Sequence, residues 1–330
     1  MTRLYCRAFC KLSDFSKYVL ITGLLSVCSL QTQAGTFAVI TNQGSDNVSI
    51  IDLDQRKVVA TIKVGHRPAG IAVSNIKHRA YVSNPESKNI SVVDLDKQVL
   101  LKNIPVGEGS VGIAVNPNGN EVYIADWYEH KISIMDTSTL KIIANISVGK
   151  SPAGVDVSAD GKTMYVSNRD DDNVMKIDIP DRKVIATIPV GKAPFGVTIS
   201  ATGDQVYVAN VQSGNISIID TATNKVINTV KVGLFPYTIA HDKPGNRLFV
   251  TNQKDSNLSV IDLGNYKEIS TIDVGEYPEG IEIGPAQKYL YVADWFDDKV
   301  SVIDLKTLKV VDEIAVGSGC RAYGKFIYTN

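Results

Sequence analysis

The stretch "LYVADWFDDKVSVIDL" at residues 290–305 has a near twin, "VYIADWYEHKISIMDT", at residues 122–137, which lies 168 positions earlier. The last residue of the "YVAD" phrase returns along the chain at a constant step of 42 residues. These positions are Asn42, Asn84, Asp126, Asn168, Asn210, Asn252 and Asp294. Periods of roughly 20 to 50 residues are typical of repeat architectures. The sequence therefore predicts seven copies of one unit, and the twins are its third and seventh copies.

Two further sequence motifs recur with the same spacing of 42 residues. A Val-Gly phrase ends at Gly65, Gly107, Gly149, Gly191, Gly233, Gly275 and Gly317. An Asp closes runs such as "VSVID" at Asp52, Asp94, Asp136, Asp178, Asp220, Asp262 and Asp304. Residues 37–330 make 294 positions, which is seven times 42. The terminal "IYTN" resembles an eighth copy but falls six residues early, so we treat it as a coincidence.

Each unit contains four short runs of β-branched and apolar residues, as in "FGVTIS", "QVYVAN", "NISIID" and "KVINTVKVG" between residues 195 and 233. Turn sequences such as "SADGKT" at residues 158–163 separate the runs. Four strands in 42 residues is the length of one propeller blade. A solenoid also repeats, but it needs distinct caps, and neither end of the chain resembles one. We predict an all-β fold, a seven-bladed β-propeller with four antiparallel strands per blade.

The phase of the repeat predicts how the ring closes. The repeat begins with a second strand, "FAVITN" at residues 37–42, and ends with a candidate first strand, "RAYGKFIY" at residues 321–328. These pieces complete one blade only if the two ends meet, and closure removes two open sheet edges. We therefore expect residues 321–328 to pair with residues 37–42.

Residues 1–34 lie outside the repeat and have the pattern of a secretory signal peptide. Basic residues precede an apolar run from Tyr18 to Leu30, and "QTQA" ends in a small residue. A membrane anchor is the alternative, but this run is short of the roughly 20 residues needed to span a bilayer. We expect cleavage near Ala34, export to the periplasm, cell envelope or medium, a propeller over residues 35–330, and no later membrane span.

The charge balance and the cysteines narrow the classes of function. Without residues 1–34 the chain carries 30 Lys and Arg against 34 Asp and Glu, a formal charge of −4. Nucleic-acid binding depends on neutralising phosphates, so no nucleic-acid partner is expected. Only Cys320 remains, which leaves no intramolecular disulfide and no cysteine metal cluster. We expect this single thiol to be inert.

The phrase "YVSN" at residues 81–84 and 165–168, "YVAN" at 207–210 and "FVTN" at 249–252 resembles the YVTN family of β-propeller repeats. "PAGIAVS" at residues 68–74 is similar to the innermost strand of that family. The resemblance covers the whole repeat region. It implies an exported seven-bladed propeller of the YncE or surface-layer type, a group known mostly as binding or envelope proteins. It implies little about chemistry, because fold does not determine function.

If first strands line the channel, the loops between strands two and three and between strands four and one emerge on one face. By resemblance, this is the face on which propellers bind. Trp127 with Tyr128 and Trp295 with Phe296 lie in its two-to-three loops in blades three and seven, where other blades have small polar residues. Exposed aromatic rings concentrate binding energy, so these loops are candidate binding elements. Alternatively, each Trp fills the groove between adjacent blades.

Other residues of the same loops are predicted to line a funnel with basic, acidic and aromatic sectors. Singly, each charge is also explained as a solvated loop residue. The candidates are His66, Arg67, His130, Lys150, Lys192, Phe195, Phe235, Tyr237, Glu276, Tyr277, Glu279 and Arg321.

Two acidic residues are candidates for the channel itself. Asp156 and Glu282 share one first-strand position that is Ala in three other blades, and they are either a cation or acid–base site or water-exposed channel residues. His241, at a first-strand position that is Val or Ile elsewhere, is interpreted as a buried histidine with a hydrogen-bond partner. The four histidines have different phases and no pair has ligand spacing, so no metal site is predicted.

These observations favour a monomeric, exported, non-catalytic binding or scaffold protein for a small ligand or an envelope protein, without a cofactor. The alternatives are an accessory protein or enzyme of a quinone- or haem-linked oxidation system, and a lactonase-like hydrolase. A haem role would need an axial histidine in the funnel, from His66 or His130, and a lactonase would need a cation held by convergent side chains. Single-stranded nucleic acid stacked on the aromatic loops is disfavoured by the acidic balance.

Overall fold

In the computed structural model, residues 35–330 are described, and each 42-residue unit folds into short strands joined by tight turns. In chain order the strands are β1 (Thr36–Asn42), β2 (Asn47–Asp52), β3 (Lys57–Lys63), β4 (Gly70–Ser74), β5 (Arg79–Asn84), β6 (Asn89–Asp94), β7 (Val99–Pro105), β8 (Ser110–Val115), β9 (Glu121–Asp126), β10 (Lys131–Asp136), β11 (Lys141–Ser147), β12 (Pro152–Val157), β13 (Thr163–Asn168), β14 (Asn173–Asp178), β15 (Lys183–Pro189), β16 (Pro194–Ile199), β17 (Gln205–Asn210), β18 (Asn215–Asp220), β19 (Lys225–Lys231), β20 (Pro236–Asp242), β21 (Arg247–Asn252), β22 (Asn257–Asp262), β23 (Lys267–Asp273), β24 (Pro278–Ile283), β25 (Tyr289–Asp294), β26 (Lys299–Asp304), β27 (Lys309–Ala315), β28 (Tyr323–Lys325) and β29 (Ile327–Thr329). Single turns of 3-10 helix lie at Pro85–Ser87, Arg169–Asp171 and Gln253–Asp255. The predicted signal peptide lies outside the described residues.

The described strands form seven sheets, one for each repeat unit, and neighbouring strands within each unit are antiparallel. Blade one contains β29, β1, β2 and β3, and blade two contains β4 to β7 with β28 added at its inner edge. Blades three to seven each take the next four strands in chain order, from β8–β11 to β24–β27. The first strands line a central channel. The prediction of a seven-bladed β-propeller is confirmed.

The packing follows the sequence pattern from the centre of each blade to its edge. The second and third strands are buried almost throughout, because blades pack face to face and cover both sides of these strands. The fourth strands alternate between exposed and partly buried residues, as in β3 and β27, because they form the outer rim. Among residues 35–330, no helix has the length and apolar character to cross a membrane.

The two ends of the described chain close the ring inside blade one. Phe37 pairs with Tyr328, Ala38 pairs with Ile327, and an isolated bridge joins Asn42 to Cys320. Within residues 321–328 the expected pairing with residues 37–42 is confirmed at both ends, because the backbone N–H of Arg321 also donates to Thr41 O at 2.9 Å.

The middle of the closing segment departs from that expectation. Tyr323–Lys325 pairs in parallel with Gly70–Ala72 of blade two instead of with β1. The register of the pairing shows the reason. Ile327 stands opposite Ala38, whereas an uninterrupted first strand would place residue 325 there. Two extra residues therefore bulge toward the channel. We call residues 320–329 the closing segment.

Gly324 makes this bulge possible. Its φ is +125°, a conformation that L side chains rarely adopt, and a Cβ atom there would lie 2.1 Å from the carbonyl oxygen of Ile71. The bulge brings the side chains of Tyr323 and Lys325 to the channel, whereas Arg321, just before it, keeps the register of the repeat. Nearby, Cys320 is buried, and burial raises the pKa of its thiol, as suits an inert residue.

Candidate functional site

The loops between strands two and three and between strands four and one lie together on one face, which we call the top face. The backbone N–H of Trp127 donates to Gly109 O at 2.9 Å, and that of Trp295 donates to Tyr277 O at 3.2 Å. The backbone N–H of Gln253 likewise donates to Phe235 O at 3.1 Å. Each two-to-three loop is thus held against the four-to-one loop that enters its own blade. The hairpin turns on the opposite side form the lower face.

The two aromatic loops of the top face expose one ring each. Tyr128 is 68% exposed and Phe296 is 58% exposed, whereas the preceding Trp127 and Trp295 are half-buried. Their blades, three and seven, are separated by two blades in one direction and three in the other. The exposed rings therefore stand on roughly opposite sides of the top face.

The indoles themselves make packing contacts. The ring of Trp127 lies 6.4 Å from that of Phe195, and Arg169 stacks over it at 5.8 Å. The ring of Trp295 meets that of Tyr277 edge-on at 5.7 Å, and the guanidinium of Arg321 lies 4.9 Å from the indole centroid. These contacts agree with the packing interpretation of the indoles. Direct binding by either Trp remains a prediction.

Two residue positions beneath each loop distinguish the two aromatic blades from the other five. In those five blades an Asn at the end of the second strand donates to an Asn five residues later, as Asn42 does to Asn47 at 2.7 Å. In blades three and seven an Asp and a Lys replace this pair. The replacements are Asp126 with Lys131 and Asp294 with Lys299.

The two carboxylates make different contacts. Asp126 Oδ1 accepts the backbone N–H groups of Tyr128 at 3.2 Å and Glu129 at 3.0 Å, which fixes the turn that presents the ring. Asp294 is fully buried and accepts a hydrogen bond from Ser301 at 2.6 Å. Burial raises the pKa of Asp294 to about 7, against the opposing effect of the Ser301 hydrogen bond.

The centre of the top face is filled by one side chain from each blade. These seven residues occupy the same repeat position, and they are Ala69, Val111, Ala153, Phe195, Tyr237, Glu279 and Arg321. The side chains are small in blades two to four and large in the others, and Tyr323 of the closing segment packs with the large ones. We call Phe195, Tyr237, Glu279, Arg321 and Tyr323 the plug.

Aromatic stacking and an ion pair hold the plug together. The rings of Phe195 and Tyr237 stack with centroids 4.2 Å apart, and Tyr323 lies 5.0 Å from Phe195. Arg321 donates to Glu279 Oε1 at 3.1 Å and to Tyr237 Oη at 2.8 Å. Burial raises the pKa of Glu279, and the Arg321 guanidinium opposes that shift. Arg321 stays charged at every accessible pH.

The structure differs from the predicted open funnel, because the plug occupies the centre of the top face. Phe195, Tyr237 and Glu279 are buried, and Arg321 is mostly buried, so they fill the top of the channel instead of lining it. The reason is that the closing segment supplies a counter-charge for Glu279 and a third ring for the aromatic stack. Tyr323 and Gln253, which donates to Glu279 at 2.8 Å, were missed as members of this cluster. Reading the sequence down the one repeat position would have found the seven central residues.

The remaining top-face candidates lie around the plug. His66 is exposed and its Nδ1 is 2.9 Å from Asp46, and Arg67 pairs with Glu86 at 3.4 Å. His130 is exposed, and its Nδ1 accepts the backbone N–H of Ser151 at 3.3 Å. Tyr277 is half-buried between Trp295 and Phe296. Whether these residues bind anything remains a prediction.

The channel below the plug contains the two acidic candidates. Asp156 accepts Lys325 Nζ at 3.0 Å, and Glu282 Oε2 accepts the backbone N–H groups of Phe326 and Ile327 at 2.5 and 2.8 Å. His241 is half-buried and lines the same channel, and burial lowers the pKa of its imidazole. Within residues 35–330, no three His, Cys, Asp or Glu side chains converge in an arrangement that could hold a metal ion.

Comparisons with known proteins agree on the fold. A sequence model of the family described as "YNCE-like beta-propeller" matches residues 11–156, and one described as "Cytochrome D1 heme domain" matches residues 128–233. No curated protein matches the chain.

Three solved structures have the same fold at low sequence identity. Hydrazine synthase from Kuenenia stuttgartiensis is 23% identical, with a TM-score of 0.73 over 81% of this chain and 91% of that chain. A functionally unknown protein from Desulfotomaculum acetoxidans DSM 771 is 15% identical, with a TM-score of 0.76 over 88% and 99%. The dihydro-heme d1 dehydrogenase NirN, in complex with DHE, is 14% identical, with a TM-score of 0.66 over 86% and 74%. At these identities the likeness shows the fold alone.

Proposed function

We propose that this chain, a YncE-like seven-bladed β-propeller, is an exported binding protein whose top face docks a partner protein. One observation carries the proposal: the exposed rings of Tyr128 and Phe296 stand on either side of a plugged centre. Small ligands bind in concave pockets that cover most of their surface. A filled surface with exposed aromatic rings is instead typical of a protein–protein interface, in which a few aromatic residues contribute most of the binding energy.

The charge of the top face favours a basic partner. Its loops contain eleven Asp and Glu against seven Lys and Arg, and one of the seven, Arg321, is already paired with Glu279 in the plug. Complementary charge around an apolar centre sets orientation and speeds association. We therefore propose a partner with basic side chains around an apolar patch. The acidic residues are Asp46, Glu86, Glu108, Glu129, Asp170, Asp171, Asp172, Asp255, Glu276, Asp297 and Asp298.

Site-specific photo-cross-linking in the producing cells tests this proposal. Benzoylphenylalanine replaces Tyr128 or Phe296 in the full chain, and replaces Ile76 as a matched control. Ile76 is 62% exposed on the lower face. We expect one discrete protein adduct from positions 128 and 296, absent from position 76 and weakened by salt. Equal adducts at all three positions, or none at positions 128 and 296, would contradict the proposal.

A haem-linked role is the second candidate, and the match of the Cytochrome D1 heme domain to residues 128–233 favours it. The matched range includes His130 and Phe195. A haem inside the top of this channel does not fit, because the plug fills that space and the Arg321 charge is already paired. In a haem-linked role we therefore place the haem on the docked partner.

Titration with haem distinguishes a haem bound by this chain from a haem carried by the docked partner. Purified chain titrated with hemin is expected to show no saturable change in the Soret band, whereas the photo-cross-linked adduct would absorb there. Saturable binding by the chain alone that is lost in His130→Ala would overturn the partner-borne arrangement.

A further inference from the structure

Below the plug, the first strands enclose a cavity of about 330 Å³. Its lining includes Ala201 and Gln287 in hairpin turns of the lower face, so it lies toward the side opposite the proposed docking surface. A cavity of this size is within the range of small-molecule sites, roughly 300 to 1,000 Å³. We call it the lower cavity and define it by Ile113, Ile239, Ile281, Asp156, Glu282 and Lys325.

Asp156 and Lys325 form an ion pair in the lower cavity. Asp156 Oδ1 accepts the backbone N–H of Val157 at 2.9 Å and the ammonium of Lys325 at 3.0 Å. Its Oδ2 accepts the backbone N–H of Ile199 at 2.9 Å. Asp156 raises the pKa of Lys325, so the ammonium stays protonated. The two opposite charges cancel, and both carboxylate oxygens are occupied.

Glu282 is left without a counter-ion of its own. Its Oε2 accepts the two backbone N–H groups of the closing segment, and its Oε1 accepts no hydrogen bond from the described residues. Burial raises the pKa of Glu282 to about 7, against those N–H groups and the nearby Lys325. The Asp156 carboxylate also raises the pKa of Glu282, and it is already paired with Lys325. His241 also lines the cavity, and burial lowers the pKa of its imidazole, so it adds no positive charge near pH 7. The cavity therefore lacks one positive charge when Glu282 is ionised.

The walls indicate what shape of cation would enter. Apolar strand residues from several blades, including Ile113, Ile239 and Ile281, line the same cavity as the carboxylate. A divalent metal ion needs about six oxygen ligands, and a single free carboxylate oxygen does not supply them. An organic cation meets both requirements, because its head pairs with the carboxylate and its body covers the apolar walls.

We infer that the lower cavity binds a small organic monocation, with an ammonium group on Glu282 Oε1 and an apolar body against Ile113, Ile239 and Ile281. This site is separate from the docking surface on the top face and does not depend on it. Cation binding stabilises the ionised carboxylate, so affinity is expected to rise as Glu282 ionises between about pH 6 and pH 8.

Titration calorimetry of the purified full chain with benzylamine, and with neutral benzyl alcohol of similar shape, tests the inference. We expect saturable one-to-one binding of benzylamine, at least about tenfold tighter than benzyl alcohol. Glu282→Gln keeps an oxygen for the Phe326 and Ile327 N–H groups and is expected to abolish this preference. The matched control Glu268→Gln removes a carboxylate from the exposed fourth strand of blade six and is expected to leave both affinities unchanged.

A second variant covers the possibility that Glu282→Gln fails to fold. Ala240→Leu narrows the same cavity from blade six and is expected to weaken benzylamine binding at least about tenfold. The inference is overturned if benzylamine fails to bind up to about 10 mM. It is also overturned if either folded variant binds benzylamine as tightly as the unaltered chain. Neither result bears on cross-linking at positions 128 and 296, so the two proposals fail independently.

Discussion

Arg321 and Glu279 form a buried ion pair at the centre of the top face, with Arg321 Nη2 3.1 Å from Glu279 Oε1. The two residues are 42 positions apart, which is one repeat. They therefore occupy the same place in consecutive blades, although one belongs to blade seven and the other to the closing segment of blade one. The contact therefore links closure of the ring to the packing of the plug at the top face.

Removing one partner of this pair is expected to be costly. Arg321→Met leaves Glu279 buried without its counter-charge, so we expect a loss of about 3 to 5 kcal/mol in the free energy of unfolding. The double variant Arg321→Met with Glu279→Met is expected to recover most of that loss. Urea unfolding at pH 7 measures both, and Arg67→Met, which breaks an exposed pair, is the control. Equal losses in the single and double variants would contradict an energetically coupled pair.

The fully buried Asp294 predicts a pH-dependent gain on substitution. Its pKa is raised from 3.8 to about 7, so folding favours the protonated acid, and ionisation costs stability as pH rises through that interval. Asp294→Asn restores the residue of five other blades and is expected to add about 1 to 3 kcal/mol at pH 8. The gain should vanish near pH 4. Urea unfolding between pH 4 and pH 8 measures it, and a gain independent of pH would contradict the assigned cause.

The aromatic loops predict opposite roles for adjacent rings. Trp127→Ala and Trp295→Ala remove half-buried indoles that contact the plug residues Phe195 and Arg321, so we expect each to cost about 1 to 3 kcal/mol. Tyr128→Ala is expected to change stability by less than about 0.5 kcal/mol, because the ring is exposed. The Tyr128 variant should instead weaken adduct formation from position 296. Thermal unfolding checks the first expectation, and a destabilising Tyr128→Ala would show that this ring packs.

The bulge of the closing segment predicts a glycine requirement. Gly324→Ala places a Cβ atom 2.1 Å from Ile71 O at a φ of +125°, so we expect a loss of at least about 2 kcal/mol. Gly203→Ala is the matched control, because Gly203 also has a positive φ, +78°, but no atom lies within 4 Å of its would-be Cβ. We expect about 1 kcal/mol there. Similar losses at both sites, measured by urea unfolding, would mean that the bulge is absent in solution.

The repeat made the blades and their closure predictable from the sequence, because each mark recurs every 42 residues and ties one turn or strand end to its copies. The bulge at Tyr323–Lys325 was not predictable in the same way. It depends on two inserted residues that break the 42-residue period within the closing segment, and the other first strands have no such insertion. Its consequence, Lys325 beside Asp156, therefore appears only in the structure.

The sequence predicted which residues lie at the site, but not how their side chains are arranged. The sequence brought Phe195, Tyr237, Glu279 and Arg321 to one face, yet it did not show that they point at one another. Whether a loop side chain faces inward or outward depends on the diameter of the ring and on which neighbours are small, here Ala69, Val111 and Ala153. These quantities belong to the assembled ring and not to any single unit.

Both proposed sites depend on the closing segment, which supplies Arg321 to the plug and borders the lower cavity with Lys325. Hydrogen exchange of the backbone amides of Val39, Phe326 and Ile327 tests this most directly. Val39 N–H donates to Phe326 O at 2.9 Å, and Phe326 and Ile327 N–H donate to Glu282. We predict that these amides exchange as slowly as Val208 at the centre of blade five, by global unfolding. Exchange at the rate of an unstructured peptide would show that the ring is open and would contradict both sites.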